Sequence, residues 1–202
     1  MPSMKKTIIE VSIDLFFQKG YFATSISEIA KGCGIQKASI YYHFPGKEDI
    51  LFHIMEMTMQ DLTASLAANL QDLSDTEARM RAAVRGHVSY HLEHQKETFI
   101  ASSELRGLTS EHYNAIVAKR DAYERIFQDL ILEGAKQSMF ARGDIKILSY
   151  AILTLCTAGA SWFKPDGRLS IETIASIYEE FIIQGLKAGA TPGMPLSPPP
   201  GA

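Results

Sequence analysis

Apolar residues recur at spacings of three and four along almost the whole chain of 202 residues, whereas strict alternation of apolar and polar residues is hard to find. The first stripe contains Ile9, Ile13, Phe16 and Phe17 and stops at Gly20, a residue suited to the position after a helix. Such a stripe lies on one face of a helix, so the helices must pack together to bury it. The sequence therefore predicts an all-α fold.

Start and stop signals divide this pattern into nine predicted helices, three short ones followed by six that are mostly longer. A capping-box pattern from Ser25 to Glu28 begins the second helix, because these two side chains can bind free backbone amides at a helix start. Gly32 and Pro45 mark the ends of the second and third helices. The predicted helices cover about 4–19, 25–32, 36–43, 47–70, 75–94, 97–106, 109–139, 145–163 and 170–187.

The composition is typical of a soluble protein. Hydrophobic residues make up 46% of the chain, no run of about eighteen consecutive apolar residues occurs, and residues 1–6 lead into an amphipathic pattern rather than a signal-peptide core. Cys33 and Cys156 lie far apart without metal-site spacing, which argues against a disulfide framework or a structural zinc site. We therefore expect a cytoplasmic protein that needs no cofactor.

The net charge of −3 hides an uneven distribution along the chain. Residues 19–47 contain four lysines and a single acidic residue, whereas acids outnumber bases in 51–202. Local charge, not the total, sets the attraction for a polyanion. The basic stretch is thus compatible with DNA binding, although four lysines in such a stretch more often form a solvated surface. The charged side chains are Lys19, Lys31, Lys37, Lys47 and Glu28.

The second and third predicted helices are joined by a tight turn containing glycine, the pattern of a helix-turn-helix whose second helix enters the major groove. Ile40 and Phe44, four residues apart, can anchor this helix to a small core and leave its other side chains outward. By periodicity alone, the aromatic run at 41–44 fits the core of an ordinary helical bundle as well.

The outward residues have side chains that suit DNA. Lys37 can donate to guanine or to phosphate, Gln36 can pair with adenine, and Tyr41 can pack on a thymine methyl group. Ser39 can bind a base or a phosphate. Phosphate contacts are expected from Tyr42, His43 and Lys47, and from Thr24 and Ser25 at the start of the second helix. The predicted DNA-binding residues are Thr24, Ser25, Gln36, Lys37, Ser39, Tyr41, Tyr42, His43 and Lys47.

Residues 24–51 closely resemble the DNA-binding signature of the TetR/AcrR family of transcription regulators. The shared features are an Ile-Ala pair and the run Tyr-Tyr-His-Phe-x-x-Lys at 41–47, after which Ile50 stands where the family pattern continues x-x-Leu. Cys33-Gly34-Ile35 stands where Ala-Gly-Val is usual, and Ala38-Ser39-Ile40 where Gly-Thr-Leu is frequent. The match covers about residues 4–55, and the other helices agree with the family in number and order.

The resemblance implies a nine-helix, Ω-like dimer in which the eighth and ninth helices pair across a two-fold axis. Residues 1–46 are then the helix-turn-helix domain, and 47–188 form a helical domain for ligand binding and dimerisation. Residues 189–202 contain five prolines and are predicted to be a disordered tail.

The predicted dimer interface uses apolar residues of the last two helices, where small residues permit close approach. In a single chain the same faces can form an internal core. The predicted interface residues are Leu155, Gly159, Ile174, Tyr178 and Phe181.

A small-ligand site needs apolar walls with a few polar anchors. Residues 160–170 resemble family members that respond to acyl-coenzyme A thioesters or related lipid catabolites, and basic side chains there can meet anionic phosphates. Each candidate can equally belong to the core or the surface. The predicted ligand-binding residues are Phe99, Arg106, Tyr123, Phe127, Trp162, Lys164 and Arg168.

Three histidines, His87, His91 and His94, share one predicted helix face, near Glu93 and Glu97. They suit a metal, a pH-sensitive cluster or an ordinary polar face, and the last is preferred because no second ligand set is evident. A di-metal bundle enzyme would need Glu-x-x-His repeats, which the chain lacks. We therefore predict no metal site and no enzymatic activity.

Taken together, these features predict a ligand-responsive transcriptional regulator. The resemblance implies a repressor that a small hydrophobic or acyl-coenzyme A-like effector releases from a palindromic operator. The expected partners are double-stranded operator DNA, the effector and a second copy of the chain, but no membrane. A helical bundle that binds a partner other than DNA is the alternative, followed by a metal-dependent bundle enzyme.

Overall fold

The computed structural model describes residues 3–140 and 143–188. Within these ranges the chain forms nine α-helices and no β-strand, which confirms the predicted all-α architecture. The predicted disordered tail, 189–202, lies outside the described residues. The helices are α1 (Met4–Lys19), α2 (Ile26–Gly32), α3 (Lys37–His43), α4 (Lys47–Leu70), α5 (Thr76–Glu93), α6 (Gln95–Ser103), α7 (Ser110–Lys136), α8 (Ile145–Trp162) and α9 (Ile171–Ala188), with a 3-10 turn at Leu105–Gly107.

The early helix boundaries follow the capping signals in the sequence. Gly20 ends α1 with φ of 82°, in the left-handed region that glycine enters without steric cost. Ser25 and Glu28 form the complete capping box at the start of α2, as predicted.

Two later boundaries differ from the prediction. The sixth helix begins and ends earlier, at Gln95–Ser103, and gives way to the 3-10 turn. The seventh helix ends at Lys136 rather than near 139, because Ser138 adopts φ of 60° and the amides of Met139 and Phe140 donate back to the Gly134 carbonyl.

The helices form two compact units. The first comprises Met1–Asp61 and His94–Lys119, and the second Leu62–Glu93 and Arg120–Ala202. These two units are defined by packing alone. The predicted boundary between residues 46 and 47 divides the chain by function, into DNA binding and ligand sensing, so that boundary stays a prediction.

The core of the first unit contains side chains from α1 to α4 and from α6. Phe16 lies at its centre, fully buried, and meets Tyr21 edge to face at a ring distance of 5.3 Å. Burying one such side chain contributes about 1.5–3 kcal/mol. This core fixes α2 and α3 on the DNA-binding surface that the sequence predicts.

In the second unit, α5 packs against α8 and α9. Arg81 on α5 binds Glu179 and Glu180 on α9 at 2.9 Å each, and Arg85 Nε binds Glu179 at 2.6 Å. These ion pairs join α5 to α9 beside the apolar contact between the two helices.

By length and composition α8 is apolar enough to cross a membrane, a property that core helices of soluble proteins share. Only 28% of this helix is buried within the chain. Its outward side therefore exposes an unusual amount of apolar surface.

Candidate nucleic-acid interface and effector region

The α3 helix is anchored by a few side chains and exposes the rest. Ile40 is fully buried and Phe44 is nearly so, as their spacing predicts. Tyr42 on the opposite side is 87% exposed, and Tyr41 is about half-exposed. Gln36, Lys37 and Ser39 are also exposed, and His43 is partly buried with its ring against that of Tyr42. The helix thus presents donors, acceptors and aromatic rings to solvent on a rigid support.

The two hydroxyl residues before α2 have different environments. Thr24 is buried, and its hydroxyl donates to the Gly20 carbonyl at 2.9 Å while its amide donates to the Tyr21 carbonyl at 3.2 Å. Both groups hold the turn, and the phosphate contact of this residue stays a prediction. Ser25 is exposed, but its hydroxyl bonds to Glu28 in the capping box. Hydrogen bonds from Lys19 and Ser25 hold the pKa of Glu28 at about 2. The charge of Lys19 is thereby paired with that of Glu28, so the unpaired positive charge of this segment comes from the lysines that follow Glu28.

Lys47 points into the protein rather than away from it. Its Nζ donates to the carbonyl oxygens of Tyr21 at 2.8 Å and Thr24 at 2.7 Å, and lies 4.2 Å from the centre of the Tyr21 ring. Sequence reasoning treated this lysine only as a phosphate clamp. The sequence motif locates Lys47 in the chain, but it does not show which backbone carbonyls this lysine binds.

A buried carboxylate near the helix-turn-helix was not among the predicted DNA-binding residues. Glu104, at the end of α6, is only 8% exposed, and its Oε1 accepts the Tyr21 amide at 3.3 Å. Glu48 at the start of α4 accepts from the Thr109 amide and pairs with His112 Nδ1 at 2.8 Å. The segment 94–119 therefore packs into the first unit together with the helix-turn-helix, which no local sequence signal indicates.

Comparison with known proteins identifies the family. Residues 8–54 match the family model "Bacterial regulatory proteins, tetR family", and residues 73–186 match "Tetracyclin repressor-like, C-terminal domain". This chain belongs to the TetR family. It is therefore a DNA-binding transcriptional regulator, in a family whose members typically dimerise and bind ligands.

Individual relatives of this TetR-family regulator cover nearly its whole length. The HTH-type transcriptional repressor KstR2 from Rhodococcus jostii is 24% identical over 184 residues, which are 89% of this chain and 89% of KstR2. A tetR-family regulatory protein from Rhodococcus RHA1 has the same fold, with a TM-score of 0.86 and 25% identity over 92% of this chain and 98% of that one. AibR in complex with isovaleryl coenzyme A and operator DNA gives a TM-score of 0.82 and 28% identity, over 92% and 98% of the two chains.

The regulator's predicted dimer residues divide into inward and outward positions. Ile174 and Gly159 are buried within the second unit, and Tyr178 is partly buried. Phe181 is 69% exposed, and Leu155 is also exposed. Further exposed apolar residues continue the outward face. They are Ile147, Tyr150 and Trp162 on α8 and Ile177 on α9.

The predicted ligand residues are divided between the two units. Phe99 and Arg106 belong to the first unit, where Phe99 packs edge to face on Phe17 and Arg106 lies over Phe22. The other five belong to the second unit. Trp162, Lys164 and Arg168 line a surface pocket of about 250 Å³. Tyr123 and Phe127 are buried in the interior.

A buried polar cluster surrounds Tyr123. Its hydroxyl lies 2.8 Å from Nδ1 of His87, whose Nε2 is 3.2 Å from the hydroxyl of Thr157. Burial and the neighbouring His91 hold the pKa of His87 well below its usual value, so this imidazole is neutral at physiological pH. Burial raises the pKa of Cys156 to about 12, which keeps that thiol protonated.

Of the three histidines singled out by their spacing, His87 and His91 lie side by side, with ring centres 4.1 Å apart. His87 and His91 lie on α5, whereas His94 follows the end of that helix. In the described part of the chain, no group of three His, Cys, Asp or Glu side chains is arranged to hold a metal ion.

Proposed function

We propose that this regulator binds a palindromic operator as a homodimer and represses transcription until an acyl-coenzyme A-like effector releases it. The observation that carries the DNA-binding part is the exposed side of α3, opposite the fully buried Ile40. Gln36, Lys37 and Tyr41 read base edges, and Ser39 contacts a base or phosphate. Tyr42 and His43 hold the phosphate backbone together with the start of α2, residues 24–25. The protein acts in the cytoplasm, where it meets the operator.

The dimer is supported by the outward apolar face of α8 and α9. An apolar helix of which only 28% is buried needs a further partner, and a second copy supplies the same face by two-fold symmetry. Gly185, one turn after Phe181, has open space around the position of an added Cβ, which allows close approach of the partner helix. Leu155 and Phe181 lie in the proposed interface, whereas Ile174 is buried within its own unit.

The effector is proposed to bind in the second unit. The pocket lined by Trp162, Lys164 and Arg168 shares Phe163 and Leu169 with a larger groove of about 720 Å³ along α5 and the start of α9. Two cations beside apolar walls suit the phosphates and acyl chain of a coenzyme A thioester. The AibR complex with isovaleryl coenzyme A supports this class of ligand. Binding shifts the dimer towards a state with weaker affinity for the operator.

An operator selected from random duplex DNA tests the DNA-binding part. We expect a palindromic sequence whose affinity falls steeply with salt, because phosphate contacts release counterions. Lys37→Ala is expected to weaken binding about ten- to hundredfold and to relax sequence preference at one base pair. Tyr42→Ala is expected to weaken binding about tenfold on every sequence, because phosphate contacts position without reading bases. Fluorescence anisotropy across a salt series measures all three effects.

Matched controls for this experiment are Lys136→Ala and Tyr113→Ala, exposed residues outside the helix-turn-helix. Both are expected to bind like wild type. A wild-type protein that selects no sequence, or whose affinity does not depend on salt, would contradict operator binding.

The effector part is tested with isovaleryl-coenzyme A, palmitoyl-coenzyme A and free coenzyme A, each added to the protein–operator complex. We expect at least one thioester to release the operator, and the pair of changes Lys164→Ala and Arg168→Ala to raise the concentration needed at least tenfold, since each cation meets a phosphate. Lys136→Ala serves again as the charge-matched control. If no thioester alters operator affinity, the acyl-coenzyme A assignment is wrong while operator binding stands.

A further inference from the structure

The turn between α1 and α2 is held by its own atoms at only a few points. Gly20 enters it with φ of 82°, and the Thr24 hydroxyl donates back to the Gly20 carbonyl at 2.9 Å. The Thr24 amide donates to the Tyr21 carbonyl at 3.2 Å. This turn leads directly into Ser25, the N-cap of α2, so its conformation sets where α2 begins.

Lys47 closes the turn from the α4 side. Two of its three N–H donors bind the carbonyls of Tyr21 and Thr24, at 2.8 and 2.7 Å. The amine also lies over the Tyr21 ring, a cation–π contact at 4.2 Å. Burial lowers the pKa of Lys47, while Glu104 and Glu28 oppose that shift. Most of the binding capacity of this amine is therefore engaged by the protein's own backbone.

Glu104 closes the same turn from the α6 side. Its buried carboxylate accepts the Tyr21 amide, 83 positions earlier in the chain, at 3.3 Å. The Tyr21 backbone is thus bound at its N–H by one remote side chain and at its carbonyl by another. Its ring also packs closely on Gly107, where an added Cβ would lie 2.7 Å from the ring. A carboxylate in a unit that binds DNA opposes attraction to phosphate, so attraction of the DNA does not account for this acid.

We propose that Lys47 and Glu104 are positioning residues for operator binding, which together hold the 20–24 turn and thereby the start of α2. Neither needs to touch the DNA for this role. Lys47 acts through the carbonyls of Tyr21 and Thr24, and Glu104 acts through the Tyr21 amide. The inference rests on the proposed operator binding and assigns that function two residues, of which Glu104 lies outside the helix-turn-helix segment 24–51.

The test compares three variants on the duplex that wild type selects from random DNA. Lys47→Met keeps the aliphatic stem and is expected to weaken binding about tenfold with an unchanged salt slope, because no phosphate contact is lost. Glu104→Leu leaves the Tyr21 amide without its acceptor and is expected to weaken binding about tenfold, although removing a negative charge by itself would tighten it. Glu104→Gln keeps an oxygen acceptor without the charge and is expected to bind as tightly as wild type or tighter. Glu97→Gln, also on α6, is the control for loss of charge alone.

Hydrogen exchange of the free protein gives a readout that does not depend on DNA. The Tyr21 and Ser25 amides are expected to exchange faster in Lys47→Met and in Glu104→Leu, while amides in the middle of α3 keep their wild-type rates. If Glu104→Leu does not fold, Lys47→Met and Glu104→Gln carry the test. A wild type that selects no duplex overturns operator binding, and the exchange rates still decide whether the turn is held as proposed.

Two results overturn the positioning role. One is a salt slope that falls by about 0.9 in Lys47→Met, the loss of one phosphate contact, together with wild-type or tighter binding by Glu104→Leu. The other is unchanged exchange of the Tyr21 and Ser25 amides in both variants.

Discussion

Phe181→Glu is expected to convert the proposed dimer into a monomer and to weaken operator binding at least a hundredfold. Phe181 is 69% exposed on α9, within the outward apolar face of the second unit. In a two-fold interface this substitution buries two unpaired carboxylates, at a cost of several kcal/mol for each buried ion. A monomer contacts a single half-site, so it loses the affinity gained by binding both half-sites at once. Sedimentation velocity measures the assembly, and anisotropy with the selected operator measures the affinity.

The control for Phe181→Glu is Leu73→Glu, which adds the same charge at an exposed apolar residue between α4 and α5. This variant is expected to remain dimeric and to bind the operator within a fewfold of wild type. Because Phe181 makes few contacts inside its own chain, the helical circular dichroism signal of both variants is expected to match wild type. A Phe181→Glu protein that stays dimeric at micromolar concentration would show that dimerisation uses another face.

Gly134→Ala is expected to lower the free energy of unfolding by about 1–3 kcal/mol, the range found for overpacked cores. Helix propensity alone predicts the opposite sign, since alanine is favoured over glycine by about 1 kcal/mol in a helix interior. An added Cβ at Gly134, however, would lie 2.0 Å from Cδ2 of Phe140, whose ring is buried. The ring and the chain reversal after α7 must then shift. Urea unfolding at one fixed protein concentration measures the difference.

Gly86→Ala is the matched control on α5. There the added Cβ would meet the amide nitrogen of Asn69 at 2.1 Å, but Asn69 is exposed and can rotate away. We expect this variant to gain up to about 1 kcal/mol, so the two glycine substitutions should differ in sign. If Gly134→Ala is as stable as wild type or more stable, the Phe140 ring can move aside without lowering the free energy of unfolding, and the prediction is wrong.

Local sequence signals were enough to locate most of the DNA-binding elements. The capping box from Ser25 to Glu28 and the helix-ending Gly20 act through atoms a few residues apart, so their geometry follows from the sequence alone. The spacing of Ile40 and Phe44 likewise gave the buried side of α3, because a helix repeats every 3.6 residues.

Side-chain contacts between residues far apart in the chain could not be predicted from such local patterns. Nothing near Glu104 indicates that its carboxylate binds the Tyr21 amide, since the two are 83 positions apart. Thr24 and Lys47 match a DNA-binding signature, yet their side chains bind the turn between α1 and α2. The α7 helix also ends earlier than predicted, at Lys136, because Phe140 folds back onto Gly134.

Periodicity, capping and a run of motif residues are local properties, so the sequence was sufficient to predict the nine helices found in residues 3–140 and 143–188, the helix-turn-helix and the family. The direction of individual side chains depends on tertiary packing. In α9 both Ile174 and Phe181 satisfy the apolar pattern, but one is buried against its own unit and the other faces solvent. An apolar stripe on a helix indicates that this surface must be buried. The packing of α5 against α9 determines which part of the stripe is buried within the chain and which part remains exposed to bind a partner.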